Sequence, residues 1–129
     1  MALQYSSNVY LAQLDTVEST IGTTPTLKIF SGAVPANCAA ADPSGALVTM
    51  TLPSDWMNAA SGTTKTLAGS WSGTASGTGT PASFRIYQGA TCHLQGSAGV
   101  GSGDLSLNGS ITSGQTVSIS SFTITAANT

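Results

Sequence analysis

From residue 26 onward, apolar side chains return at every second position in short runs, and this period of two constrains the fold more than any other feature of the chain. Successive side chains of a strand point to opposite faces, so alternation marks a strand with one buried face. Leu27 and Ile29 face one way, Lys28 and Phe30 the other. Ala46, Val48, Met50 and Leu52 form the clearest half-buried strand. Leu67, Gly69 and Trp71 repeat the pattern, as do Phe84 and Ile86, then Cys92, Leu94, Gly96 and Ala98. About seven or eight such strands, separated by Gly, Ser and Thr, predict a mainly β fold: an antiparallel β-sandwich or jelly roll. Asn108-Gly109 among Leu105, Leu107 and Ile111 predicts a type I′ hairpin. Val117 and Ile119 are out of phase with Phe122 and Ile124, and a bulge at Ser120-Ser121 would return all four to one face. Ser54 to Ala60 reads as a short capped helical turn.

The start of the chain follows another rule. Tyr10, Leu14, Val17 and Ile21 fall at i, i+4, i+7 and i+11, one face of a helix. Ser6, Ser7 or Asn8 can cap its start, and Gly22 stands where a positive-φ residue ends a helix. A helix of about four turns is not stable alone in water, so it docks on this domain or on a partner. The chain divides into residues 1–25, one short N-terminal α-helix with its flanks, and residues 26–129, the β domain. Tyr10, Leu14, Val17 and Ile21, together with Trp56, are the candidate partner contacts.

Charge is scarce, with three basic and five acidic side chains among 129 residues. Soluble domains devote about a quarter of their residues to charge, and net charge keeps molecules apart. An exterior so poor in it is expected to be covered by neighbours. Three basic residues cannot neutralise nucleic-acid phosphates or hold an anionic membrane. No run is long and apolar enough to span a bilayer. The first residues carry neither a basic leader nor an apolar segment, which predicts synthesis in a cytoplasm.

No constellation for catalysis stands out. His93 is the only histidine, no Gly-x-Ser-x-Gly elbow is present, and no two of Asp15, Glu18, Asp42, Asp55 and Asp104 form an evident acid/base pair. Asp15 and Glu18 are expected on the solvated side of the helix, and the remaining acids in turns and caps. No cofactor or metal site is expected. Trp56, Trp71 and Tyr87 leave a carbohydrate-stacking platform as one reading, with core or interface anchors as the other.

One internal echo is visible. Thr26-Leu27-Lys28-Ile29-Phe30-Ser31-Gly32-Ala33 parallels Ser83-Phe84-Arg85-Ile86-Tyr87-Gln88-Gly89-Ala90, with a cysteine after each, Cys38 and Cys92. It places the two strands in equivalent positions, with Lys28 and Arg85 on the same faces as Phe30 and Tyr87. For the cysteines, two ligands are too few for zinc. A Cys38–Cys92 disulfide and a pair of buried free thiols both stay open.

The runs Leu14 to Gly22, Thr26 to Gly32, Pro35 to Ala40, Leu52 to Met57, Phe84 to Tyr87 and Thr91 to Gly96 resemble small virion proteins of tailed bacteriophages and prophages, similar to capsid cement or decoration proteins. That resemblance implies a β-sandwich or jelly-roll module on the outside of an icosahedral head, bound to the major capsid protein, often as a homotrimer. A tail or fibre component is the alternative within the virion.

Overall fold

The computed structural model describes residues 4–126. It is mainly β with a single short helix among the described residues, in a sandwich-like arrangement. Helix α1 (Ser7–Ile21) leads into β1 (Pro25–Phe30), β2 (Ala46–Thr51), β3 (Thr64–Thr66), β4 (Trp71–Thr74), β5 (Ser83–Gln88), β6 (Thr91–Val100), β7 (Leu105–Leu107), β8 (Thr116–Ile119) and β9 (Thr123–Thr125). One layer is a five-stranded sheet in the order β2-β1-β5-β6-β7. The other consists of two ladders, β3 with β9 and β4 with β8. All pairings are antiparallel except β6 with β7, which run parallel.

Alternation places the core as expected except at the start of β2, where the register skips Leu47, so that Leu47 is buried and Ala46 is exposed. Leu27, Ile29, Val48, Met50, Phe84 and Ile86 point from the large sheet onto Trp71, Val117, Ile119 and Phe122 of the second layer. An aromatic column crosses the interior: Trp56 to Trp71 at 5.9 Å, Trp71 to Phe122 at 5.6 Å and Phe122 to Phe84 at 5.5 Å between ring centroids. Tilted and edge-on pairs of this kind contribute about 0.5–1.5 kcal/mol each beyond their burial. At Gly73 an added Cβ would lie 2.7 Å from Met50 Cβ, so glycine is what lets β4 pass so close to β2.

Three local expectations are corrected. Gly109 does not take positive φ, and β7 pairs with β6 while Ile111 bridges to Gly79, so no Asn-Gly hairpin forms. The phase change at Ser120-Ser121 is a break, not a bulge: β8 pairs with β4, and β9 moves to β3. Val117, Ile119 and Phe122 are still buried, because the chain crosses between ladders without leaving the core. Residues 54–60 hold no helical turn: Ser54 and Asp55 form a bend, and Met57 is bridged to Leu67. Two large apolar side chains, Trp56 and Met57, go inward from adjacent positions, which a surface turn of helix could not manage.

Helix α1 is part of this core. Gly22 has φ 88°, and its N–H donates to the Glu18 carbonyl, closing the helix. Trp56 Nε1 donates to the Gly22 carbonyl at 3.1 Å, tying that end to the second layer. Ile21 belongs to the main hydrophobic cluster, with Val17 packed against it. Helix α1 thus shares the core of the β strands, and β1 already begins at Pro25.

Candidate functional site

The echo has a structural counterpart. Strands β1 and β5 are hydrogen-bonded neighbours whose register is symmetric about the Lys28–Arg85 pair: Leu27 faces Ile86, Ile29 faces Phe84, Thr26 faces Tyr87 and Phe30 faces Ser83. The two similar strands are thus related by a local two-fold axis passing between the two cations. Period two then sends Lys28, Phe30, Arg85 and Tyr87 to the side of the sheet away from the aromatic column.

That second face is covered by residues 31–45, the connection from β1 to β2. Such a long stretch without strand or helix needs fastening, and Arg85 supplies it. The guanidinium is 2% exposed and donates from Nε to Gln95 Oε1 (3.1 Å), from Nη1 to the Ala40 carbonyl (3.0 Å) and Asp42 Oδ1 (3.0 Å), and from Nη2 to the Asn37 carbonyl (3.1 Å). Gln95 in turn donates to the Pro35 carbonyl, and Ser83 to the Gly32 carbonyl. Asn37 Oδ1 accepts the N–H groups of Ala39 and Ala40, holding the turn that presents those carbonyls. At the stem, Gly45 has φ 72°, and a Cβ there would fall 1.9 Å from Ser31 Oγ.

Asp42 is the acidic centre. It accepts from Arg85 and from the Tyr87 hydroxyl, and Lys28 Nζ lies 3.9 Å away. The Tyr87 hydroxyl and, after it, Arg85 hold the Asp42 carboxyl below the usual carboxylate range. Burial and the same bond to Asp42 push the Tyr87 phenol well above its ordinary value. Lys28 Nζ sits 4.8 Å from the centroid of the Tyr87 ring. Asp42 therefore keeps its charge, Tyr87 keeps its proton, and neither is poised to exchange one near neutral pH.

Beside this cluster Cys92 Sγ stands 2.8 Å from Cys38 Sγ. The pairing skips His93 between Ile86–Leu94 and Tyr87–Cys92, so His93 is the extra residue of a bulge. Cys92 and Leu94 consequently do not share a face, as their spacing suggests: Leu94 packs on the core, and Cys92 turns to the loop carrying Cys38. Burial, then the bond to Cys38, pushes the Cys92 thiol up to about 12. Both cysteines line an open cleft of about 760 Å³ with Lys28, Asp42, Arg85 and Tyr87.

A second cluster uses the remaining basic residue. Lys65, 1% exposed, donates from Nζ to Asp15 Oδ1 (2.7 Å), Glu18 Oε1 (2.9 Å) and the Asn58 carbonyl (2.9 Å). Asp15 also accepts the Ala60 N–H. These bonds clamp α1 to β3, so Asp15 and Glu18 are not the free, solvated residues their helix positions suggest. Burial disfavours the Lys65 charge, but its bonds to Asp15 and Glu18 outweigh that and raise its proton affinity. Sequence reasoning missed Lys65. The signal was present, since Leu67, Gly69 and Trp71 extrapolate back to an inward phase at residue 65.

The other expected residues are located plainly. Trp56 is fully enclosed, so it is no partner anchor; Leu14 and Ile21 are buried within this chain, and Val17 is partly so. Tyr10 stays partly open, and Val9 and Tyr5 are exposed. Trp56, Trp71 and Tyr87 are each at most 4% exposed, so none of these three presents a ring face for stacking on a sugar. His93 lines a groove with Gln13, Thr16 and Val17, away from the acids. Asp104 accepts from Ser97 N and Oγ, bracing a turn. Among the described residues no group of His, Cys, Asp and Glu could hold a metal ion, and no buried side-chain N or O lacks a partner. No family model, curated protein or solved structure matches the chain.

Proposed function

We propose that the protein is a structural component of a tailed-phage particle, a cement protein that binds the major capsid protein on the outside of the head, assembling as a homotrimer. One observation carries this reading: most of the few charges are spent on partners within the chain, and two of the three cations, Lys65 and Arg85, are buried. All three cations and three of the five acids are in ion pairs within the chain. What remains outside is mostly hydroxyl and small apolar. Along the second layer, Ser72 pairs with Ser118 and Thr74 with Thr116, all exposed, and Thr66 with Thr123 likewise. Burying neutral hydroxyls against a neighbour costs far less than burying charge, so this exterior suits lasting contact. Many symmetric copies on a lattice add avidity to modest single contacts. The resemblance of the chain's runs to decoration proteins supports the same assignment, and the clusters above fasten segments together without offering a reacting group.

The test is a particle lacking the protein. Such particles should lose heat or osmotic resistance and regain it when the purified chain is added back. Unchanged resistance, or no binding of the chain to bare heads, would sink the proposal. Labelled protein found on tails would move it to the tail.

A further inference from the structure

We propose that Cys38 and Cys92 form a reversible disulfide latch that fastens residues 31–45 to the five-stranded sheet. This reading does not rest on the capsid assignment. Three observations converge on it. The sulfurs belong to residues 54 positions apart and stand 2.8 Å from each other, within reach of a bridge. The loop carrying Cys38 is held in the required shape by groups other than sulfur, namely the bonds of Arg85 to the Asn37 and Ala40 carbonyls on either side of it. Both cysteines are half-buried on the wall of an open cleft, so a small oxidant can reach them. Folding thus gathers the thiols at high effective concentration before any bridge exists.

The oxidant class is a small disulfide such as oxidised glutathione. One protein thiolate attacks it, forming a mixed disulfide and releasing one glutathione thiol. The second protein thiolate then attacks the protein sulfur of that intermediate and expels the second glutathione. Two S–H bonds become one S–S bond, and two electrons and two protons end on two glutathione molecules. Cys92 must act as nucleophile in one of these steps. Its high proton affinity makes closure slow near neutral pH, so the latch sets after folding and sets faster as pH rises. What it adds is a covalent closure across the loop that Arg85 otherwise holds by hydrogen bonds alone.

The test uses the intact chain, purified reduced and then held with excess oxidised glutathione at about pH 8, beside a dithiothreitol-treated sample. Expected is a species about 2 Da lighter, with a Cys38–Cys92 linked peptide on mapping. Its melting midpoint should rise by roughly 10 °C, hydrogen exchange should slow across residues 31–45, and dithiothreitol should reverse both. Cys38→Ser should fold, form no bridge under oxidant, carry at most one glutathione on Cys92, and show neither the rise in midpoint nor the slowed exchange. A folded chain that keeps both thiols, or that carries glutathione on each without a bridge, overturns the proposal. So does a bridge that forms but leaves exchange across residues 31–45 unchanged.

Discussion

Two buried cations hold two different segments onto the same β framework, and they do so unequally. Arg85 reaches four acceptors, three of them on residues 31–45, from a planar fork whose three nitrogens all find partners. Lys65 is a point charge with three donors, given to Asp15, Glu18 and the Asn58 carbonyl. Arg85 organises a loop with no hydrophobic core of its own. Lys65 adds to a helix already seated by Ile21 and Val17. The lesson is that the same charge, equally buried, is indispensable where it replaces packing and supplementary where it accompanies packing.

The largest expected effect breaks the first side of that comparison. Arg85→Met leaves two loop carbonyls and the Gln95 amide oxygen without their donor and takes one of the two cations from Asp42, and should cost about 3–5 kcal/mol in denaturant unfolding. Hydrogen exchange should accelerate across residues 31–45 before the strands respond. A loss below about 1 kcal/mol would show that the loop is held by something else.

Lys65→Met attacks the other side and should cost less, about 2–3 kcal/mol. Asp15 is half exposed and can turn to water, and the apolar stripe still holds the helix. Limited proteolysis should begin in α1 while the β core survives. Leu14→Asp should also destabilise the chain itself, since Leu14 is only 5% exposed; a helix acting purely as a partner-binding arm would spare the fold. Equal losses for Arg85→Met and Lys65→Met would erase the distinction drawn here.

The acidity of the two clusters gives a smaller and sharper test. Asp15 and Asp42 have folded pKa values below their unfolded ones, so their contributions are present above about pH 4 and lost as pH falls through the lowered values. Lys65 and Tyr87 have raised values, so theirs are present below about pH 10 and lost as pH rises beyond it. Tyr87→Phe should cost about 1 kcal/mol at neutral pH. It removes the largest influence lowering Asp42, so stability should fall less steeply in acid than in the parent, and the alkaline decline should shrink to what Lys65 and Cys92 contribute. A pH profile unchanged by Tyr87→Phe would mean that the hydroxyl does not tune Asp42.

How far these clusters were legible in the sequence follows from the same physics. Alternation exposed the core face of β1, β5 and β2 from Val48 onward, because burial on one side writes itself directly into residue order, whereas the irregularity at Leu47 left no such mark. The helix stripe was equally plain. Strand partners were not: Asn108-Gly109 is a local turn preference, and it lost to Leu105 and Leu107 pairing with β6 and Ile111 with Gly79. Trp56 read as a surface anchor because nothing local shows that residues 54–60 cross the core. Asp42 looked like a turn residue before Pro43, since its partners lie more than forty positions away. Arg85 was flagged by the echo, whereas Lys65 sat unmarked among threonines despite its inward phase.

The echo itself supplies the smallest predicted effect. Lys28 and Arg85 occupy equivalent slots across the local two-fold, yet residues 31–45 close over Arg85 and leave the Lys28 side chain 35% exposed. At 3.9 Å from Asp42 and over the Tyr87 ring, Lys28 makes a screened ion pair and a cation–π contact. Lys28→Met should therefore cost under about 1 kcal/mol and lose even that in high salt. The ratio between Lys28→Met and Arg85→Met measures what the loop does, because strand, face and neighbouring Asp42 are common to both. A Lys28→Met loss rivalling that of Arg85→Met would mean that position in the echo, and not coverage by the loop, sets the worth of the charge.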